Sequence, residues 1–163
     1  MSNDKKNKNG DVVVAQNRRA KFDYESEDTL EAGIVLAGTE VKSLRNGGGV
    51  LSDAWAQVDR GEAWLHAMKI AAYSHGNITN HTIERTRKLL LHEAEIRRLA
   101  DESKRGMQLI PLRIYFKNGR AKIEIGVGKA RKSYDKRHAI KDREEKEEMR
   151  KSTSRLNRQR GDE

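Results

Sequence analysis

Residues 110–128 read IPLRIYFK, then Asn118-Gly119, then RAKIEIGVG. Asn-Gly between two β-rich runs is the signature of a tight hairpin, because both turn residues must take positive φ. A two-residue turn sets the register. Ile110 then faces Val127, Leu112 faces Ile125, Ile114 faces Ile123 and Phe116 faces Ala121, all on one face. The opposite face pairs Arg113 with Glu124 and Tyr115 with Lys122, which predicts one core face and one wet face of an antiparallel sheet.

Working outward, a second hairpin is expected from AWAQV (Ala54–Val58), the turn Asp59-Arg60-Gly61-Glu62 and AWLHAMKI (Ala63–Ile70). KFDYESEDTLEAGIVL (Lys21–Leu36) reads as strand, with Gly33 as a bulge or bend. Two helices are expected. Thr39–Asn46 stops at Gly47, with Gly47–Gly49 as loop. His92–Arg105 puts Ile96, Leu99 and Ala100 on one face and is stopped by Gly106. Tyr73–Arg87 is polar and aperiodic, and reads as a long loop. About six strands with few helices indicate a mainly β, closed or partly open antiparallel barrel.

The 163 residues carry 34 Lys+Arg against 25 Asp+Glu, a net charge of +9. Such a balance favours a polyanionic partner. There is no cysteine, which excludes a disulfide scaffold, a cysteine-ligated metal and thiol catalysis. The chain has no 18-residue apolar run and no secretory leader, so a cytoplasmic protein without a membrane partner is expected. The division expected is a flexible N-terminus over 1–16, a folded domain over 17–128 and a basic tail over 129–163. The tail holds +5 of the +9. Its apolar residues follow no 3.6-residue stripe, yet it is rich in Lys, Arg and Glu and lacks proline. Asp142–Lys146 and Glu147–Lys151 are acid-before-base pairs at helical spacing. A tail disordered when free and helical on a neutralising partner fits this composition. So does a merely solubilising tail.

Catalytic constellations are weak. His66, His75, His81 and His92 have no metal-ligand spacing, so no metal and no cofactor are expected. No serine elbow, Walker loop or dinucleotide fingerprint occurs. Glu31, Glu40, Asp53 and Glu124 could gather Mg²⁺ in a nuclease, but their spacing does not require it. Basic clusters recur beside aromatics: Arg18-Arg19 and Lys21 with Phe22 and Tyr24, Lys42 with Arg45, Arg85 with Arg87-Lys88, and Arg131-Lys132 with Tyr134. Cations for phosphate and aromatics for unpaired bases point to RNA.

Specific strings then narrow the reading. NRRAKFDYESEDTLEAGIVLAGTEVKSLR (17–45), RKLLLHEAEIRRL (87–99), PLRIYFKNGRAKIEIGVGKARK (111–132) and SYDKRHAIKDRE (133–144) resemble, in order, the small protein B family, the SsrA-binding proteins of bacteria. The resemblance implies an oligonucleotide-binding-fold-like antiparallel barrel with two or three flanking helices and a conditionally helical basic C-terminal tail. It implies no enzyme activity. The implied partners are transfer-messenger (SsrA) RNA, bound at its tRNA-like domain, the stalled bacterial ribosome, and elongation factor Tu through the RNA complex. The implied role is ribosome rescue by trans-translation, with the tail probing the empty decoding site and mRNA channel. A generic ribosome-associated RNA-binding barrel is the alternative.

Charge, stacking and resemblance together mark Asn17, Arg19, Lys21, Phe22, Tyr24, Glu31, Lys42, Arg45, Arg87, Lys88, Leu90 and Lys122 for RNA. Lys129, Arg131, Lys132, Asp135, Lys136 and Arg137 are marked for the decoding site. Leu90 is expected to pack, and Glu31 to accept from a base amine or orient a cation. The chain departs from the family pattern at Phe22 (usually His), Ala130 (usually Gly), Gly48 and Val50 (usually Lys and Asn) and Glu84 (often Pro).

Overall fold

A computed structural model of the chain describes residues 10–75 and 80–159, without the side chains of 133–136 and 155–159. The elements run β1 (Val12–Gln16), α1 (Ala20–Asp23), β2 (Tyr24–Ile34), α2 (Gly38–Arg45), β3 (Gly49–Val50), β4 (Trp55–Asp59), β5 (Glu62–His66), β6 (Lys69–Ile70), β7 (Arg87–Leu90), α3 (Glu93–Lys104), β8 (Gln108–Lys117), β9 (Arg120–Ala130) and α4 (Ser133–Gln159).

The hairpin forms where its turn residues demand it: Asn118 has φ 51° and Gly119 φ 75°. Near the turn the register is the expected one, with Arg113 opposite Glu124, Ile114 opposite Ile123 and Phe116 opposite Ala121. It then shifts by one between Pro111 and Arg113, so Pro111, not Leu112, meets Ile125, and Leu109, not Ile110, meets Val127. Proline has no N–H for the ladder, and a bulge is where a strand accommodates it. Beyond the bulge Ile110 and Pro111 are both buried. The face expected to be wet is not uniformly so, because Tyr115 on it is only 5% exposed.

The sheet closes on itself. β8 pairs with β9 along one edge, and β9 also neighbours β2, in the order β8-β4-β5-β7-β2-β9. The other edge of β8 is shared between β4, at Leu109, and β1, over residues 113–116. Every pairing with a recorded register is antiparallel. A Cβ on Gly128 would lie 2.2 Å from the Glu25 carbonyl oxygen, so only glycine lets β2 approach there. Inside the ring Ile34, Leu65, Leu89, Ile114, Ile123 and Ile125 form the core with Leu44 of α2 and Leu99 of α3. The architecture is mainly β, an antiparallel sheet with flanking helices.

Four expectations change. Residues 12–16 are not a flexible lead but strand β1, because Val12-Val13-Val14 suits a pleated, half-buried edge. Lys21 and Phe22 lie in the short helix α1 rather than in strand. Gly33 pairs in register with Leu90 and is no bulge; its missing side chain makes room for that of Leu90, 3.1 Å from where a Cβ would stand. The second hairpin forms around Arg60-Gly61 but does not run on to Ile70. Ala67 at φ 59° breaks it, and β6 joins β3 in a separate two-stranded sheet, which also takes Gly49 out of the expected loop.

Both longer helices of this part start and stop near the expected residues. The Ala37 N–H donates to Glu40 Oε1 (2.9 Å) and the His92 N–H to Glu95 Oε2 (3.0 Å), each satisfying a donor before the first turn. The chain forms two compact units, Met1–Lys129 and Ala130–Glu163. The second contains α4, whose described side chains are almost all exposed; Met149 is 71% exposed.

Candidate nucleic-acid interface

Strand alternation sends Ile114, Phe116, Ile123 and Ile125 inward and turns their neighbours out. On that outer face Arg113 pairs with Glu124 and lies 5.7 Å over the Tyr115 ring. The Tyr115 hydroxyl donates to Glu31 Oε2, and Lys117 Nζ is 3.5 Å from the same oxygen. Burial first, and the Glu31 carboxylate second, push the phenol well above its ordinary pKa. Tyr115 is therefore a neutral donor at any physiological pH. Lys122 stands opposite Tyr115.

The face continues over β7, β5 and β4. Lys88 Nζ lies 2.8 Å from Glu62 Oε1 and 5.9 Å from the Trp64 ring centroid. Trp55 stacks on His66 at 4.2 Å and 16°. The His66 Nδ1 is 3.3 Å from Thr86 Oγ1. Leu90 is exposed (53%), not packed as expected, because it lies on the outward side of β7 above Gly33. The exposed Trp55 and Leu90, on a face that carries Lys88, Arg113 and Lys117 each beside a carboxylate, suit unpaired bases better than a protein core.

Arg87, marked from the sequence for RNA, is withdrawn into the interior. It is fully buried, and its Nε donates to Glu40 Oε2 at 2.5 Å. It also donates to the carbonyls of Met68 (2.7 Å) and Arg85 (3.1 Å). Arg85 pairs with the other oxygen of Glu40. A guanidinium can stay charged in a core only with such partners. Burial pushes the Glu40 carboxyl up, but the Ala37 N–H and the two guanidinium groups outweigh it and hold the pKa below its ordinary value. Burial likewise lowers the Arg87 pKa against the opposing pull of Glu40. Arg87 thus ties β7 to α2 instead of reaching a ligand.

A second cluster surrounds a cleft of about 600 Å³ lined by Asn17, Asp23, Tyr24, Asp53, Trp55 and Gln108, among others. Asn17 is buried; its N–H donates to the Leu112 carbonyl at 2.7 Å and its Nδ2 to the Pro111 carbonyl at 3.3 Å. It braces the bulged segment of β8 rather than lying on the surface. Arg19 and Lys21 are exposed beside it, with Phe22 half-buried. On α2, Lys42 Nζ sits 5.5 Å from the Tyr73 ring centroid, and the Arg45 guanidinium lies 4.1 Å over Phe116.

The candidates therefore occupy three places. Glu31, Lys88, Leu90 and Lys122 share the outer sheet face. Asn17 and Tyr24 line the cleft, with Arg19, Lys21 and Phe22 in the adjoining α1 segment. Lys42 and Arg45 belong to α2. Lys129, Lys132 and Arg137 are exposed and Arg131 is half-buried, whereas the side chains of Asp135 and Lys136 lie outside the described residues. Trp64, His66 and Lys117 were not marked from the sequence. The alternation Glu62-x-Trp64-x-His66 was the available signal for the first two. Among the described residues no group of three or more His, Cys, Asp and Glu is placed to hold a metal ion. No helix among them is long and apolar enough to cross a membrane.

Comparison with known proteins places this geometry. The family model described as SmpB protein matches residues 14–155. A protein of Thermobifida fusca (strain YX) named SsrA-binding protein is 54% identical over 141 residues, 86% of this chain and 88% of that one. One of the same name from Bacillus cereus (strain AH820) is 54% identical over 138 residues, 84% of this chain and 89% of that one. A solved chain described under "tmRNA-SmpB: a journey to the center of the bacterial ribosome" superimposes with a TM-score of 0.64 at 42% identity, covering 77% of this chain and 92% of that chain.

Proposed function

The chain belongs to the SmpB family, and from that premise we propose that it binds the tRNA-like domain of transfer-messenger (SsrA) RNA and brings it to stalled bacterial ribosomes for trans-translation. The observation that carries this reading is the span of the family match, residues 14–155, which takes in both the barrel and most of the tail. The barrel grips folded RNA by shape: its outer face offers Glu31, Lys88, Leu90 and Lys122, and α2 offers Lys42 and Arg45. Arg19, Lys21 and the aromatics Phe22 and Tyr24 serve the same RNA beside the cleft. The α4 segment, with Lys129, Arg131, Lys132, Asp135, Lys136 and Arg137 at its root, enters the vacant decoding site and mRNA channel. Its helix has little buried face to hold it, so it is disordered when free and ordered on phosphate. The protein acts in the cytoplasm by recognition and makes or breaks no covalent bond. Elongation factor Tu joins through the RNA.

The test compares transfer-messenger RNA, its isolated tRNA-like domain and an unrelated hairpin of equal charge across a salt series. The first two should bind alike and the hairpin at least about tenfold more weakly, all falling with salt. Equal binding of all three would support the generic ribosome-associated barrel. Mg²⁺-dependent RNA cleavage would revive the nuclease.

A further inference from the structure

Glu31 shares the outer face with two further acids, Glu62 paired with Lys88 and Glu124 paired with Arg113, and its own side chain is 39% exposed. Two donors from β8 reach it across the intervening strand β9: the Tyr115 hydroxyl and the Lys117 ammonium. Both converge on Oε2. Among the described residues, Oε1 has no hydrogen-bond or ion-pair partner. The Tyr115 ring that carries the hydroxyl is buried and covered by Arg113, itself held by Glu124. The buried ring fixes the hydroxyl that holds Oε2, and Oε1 lies beside it.

We propose that Tyr115 and Lys117 are positioning residues for RNA recognition, leaving Glu31 Oε1 as one fixed acceptor for a neutral RNA donor, a base N–H or a ribose 2′-hydroxyl. This rests on the RNA-binding reading of the outer face given above. The chemistry follows from the charges. Lys117 holds Oε2, and Oε1 carries no proton and can only accept, so a phosphate oxygen is no partner for it whereas an N–H or O–H donor is. An acceptor held still beside a docked RNA discriminates strongly, because a ligand without the matching donor leaves it unpaired. The competing role, in which Glu31 aims Lys117 at a phosphate, makes a different prediction. A lost phosphate contact lowers the salt slope by about one, whereas a lost neutral hydrogen bond leaves it unchanged.

The experiment uses the full chain, the tRNA-like domain and the unrelated hairpin over a salt series. Glu31→Gln and Tyr115→Phe should each weaken the tRNA-like RNA by about five- to fiftyfold with an unchanged salt slope and unchanged hairpin binding. The double variant should be no more than about twofold weaker than either single one, as expected of two residues acting through one contact. Lys117→Met, at a side chain 45% exposed, is safe for folding. It should weaken the same RNA by about two- to fivefold, again without a change of slope. Two scans of the RNA separate the donors, one of 2′-deoxy and one of amine-less base substitutions. A single substitution in one scan should reproduce the Glu31→Gln loss and add nothing in that variant. The proposal is overturned if folded Tyr115→Phe and Lys117→Met bind like the parent, if Lys117→Met lowers the slope by about one, or if neither scan has such a substitution. An unchanged Glu31→Gln with preference for the tRNA-like RNA intact also overturns it, yet leaves the proposed function standing. Loss of that preference in the parent protein would remove the function instead.

Discussion

Residues 12–130 and residues 133–159 draw on the same charged residue types and use them in opposite ways. In the barrel, Arg87 is enclosed with Glu40, forty-seven positions away in the chain, and fixes where β7 stands against α2. In α4 the ion pair within a turn, Arg143 with Glu147 at 3.8 Å, is between two half-exposed side chains. The first pair is costly to break, because a lone charge would remain in the core. The second contributes a few tenths of a kcal/mol and is screened by salt. Charge enclosed in the first unit serves the fold, whereas the paired charges of α4 stay exposed. The lesson is that net charge does not locate a binding surface until burial has removed the cations that serve the fold.

The largest expected effect tests that division directly. Ending the chain after Ala130, which keeps β9 whole, should abolish rescue of stalled ribosomes in a peptide-tagging assay while affinity for the tRNA-like RNA changes less than about threefold. Tagging by the truncated protein would break the comparison.

Breaking the buried pair comes next. Arg87→Met should destabilise the barrel by about 3–5 kcal/mol in urea unfolding, against less than about 0.5 kcal/mol for Arg143→Ala. Equal losses would mean that Arg87 is not a core residue. The same pair gives the barrel an acid limb. The Glu40 pKa is depressed in the fold, so its contribution is fully present above the ordinary carboxylate range, near pH 4.5, and is lost as pH falls through the lowered folded value. Glu40→Gln should flatten stability against pH below about pH 4.5; an unchanged acid profile would remove Glu40 from that role.

A smaller effect sharpens the comparison from the core side. Leu99→Ala, which opens a space where α3 meets the core, should cost about 2–5 kcal/mol of barrel stability in the same unfolding assay, yet leave rescue intact at temperatures where the barrel stays folded. The smallest shift in stability belongs to the tail. Alanines at Asp135, Lys136 and Arg137 should move the barrel's melting temperature by less than about 1 °C while slowing accommodation on the ribosome. A fall of several degrees would make that segment part of the fold.

The hairpin around Asn118-Gly119, the helix after His92 and the cationic tail were legible because each is specified within a few neighbouring residues by turn chemistry, helical spacing or composition. β1 was not legible: Val12-Val13-Val14 lies in the stretch read as a flexible lead, and a short apolar run becomes a strand only when a partner such as β8 pairs with it. Other features had no local signal at all. The shift at Pro111 depends on what β9 presents opposite it. The approach of β2 to Gly128 depends on closure of the ring. The outward turn of Leu90, the inward turn of Arg87 and the clamp on Glu31 depend on residues 47 to 86 positions apart along the chain. Short-range patterns carry the choice of helix, strand and turn, because those energies arise between neighbours. Which Arg is buried, and which oxygen of Glu31 stays open, is settled when distant strands meet, because desolvation and ion pairing act through space and not along the chain.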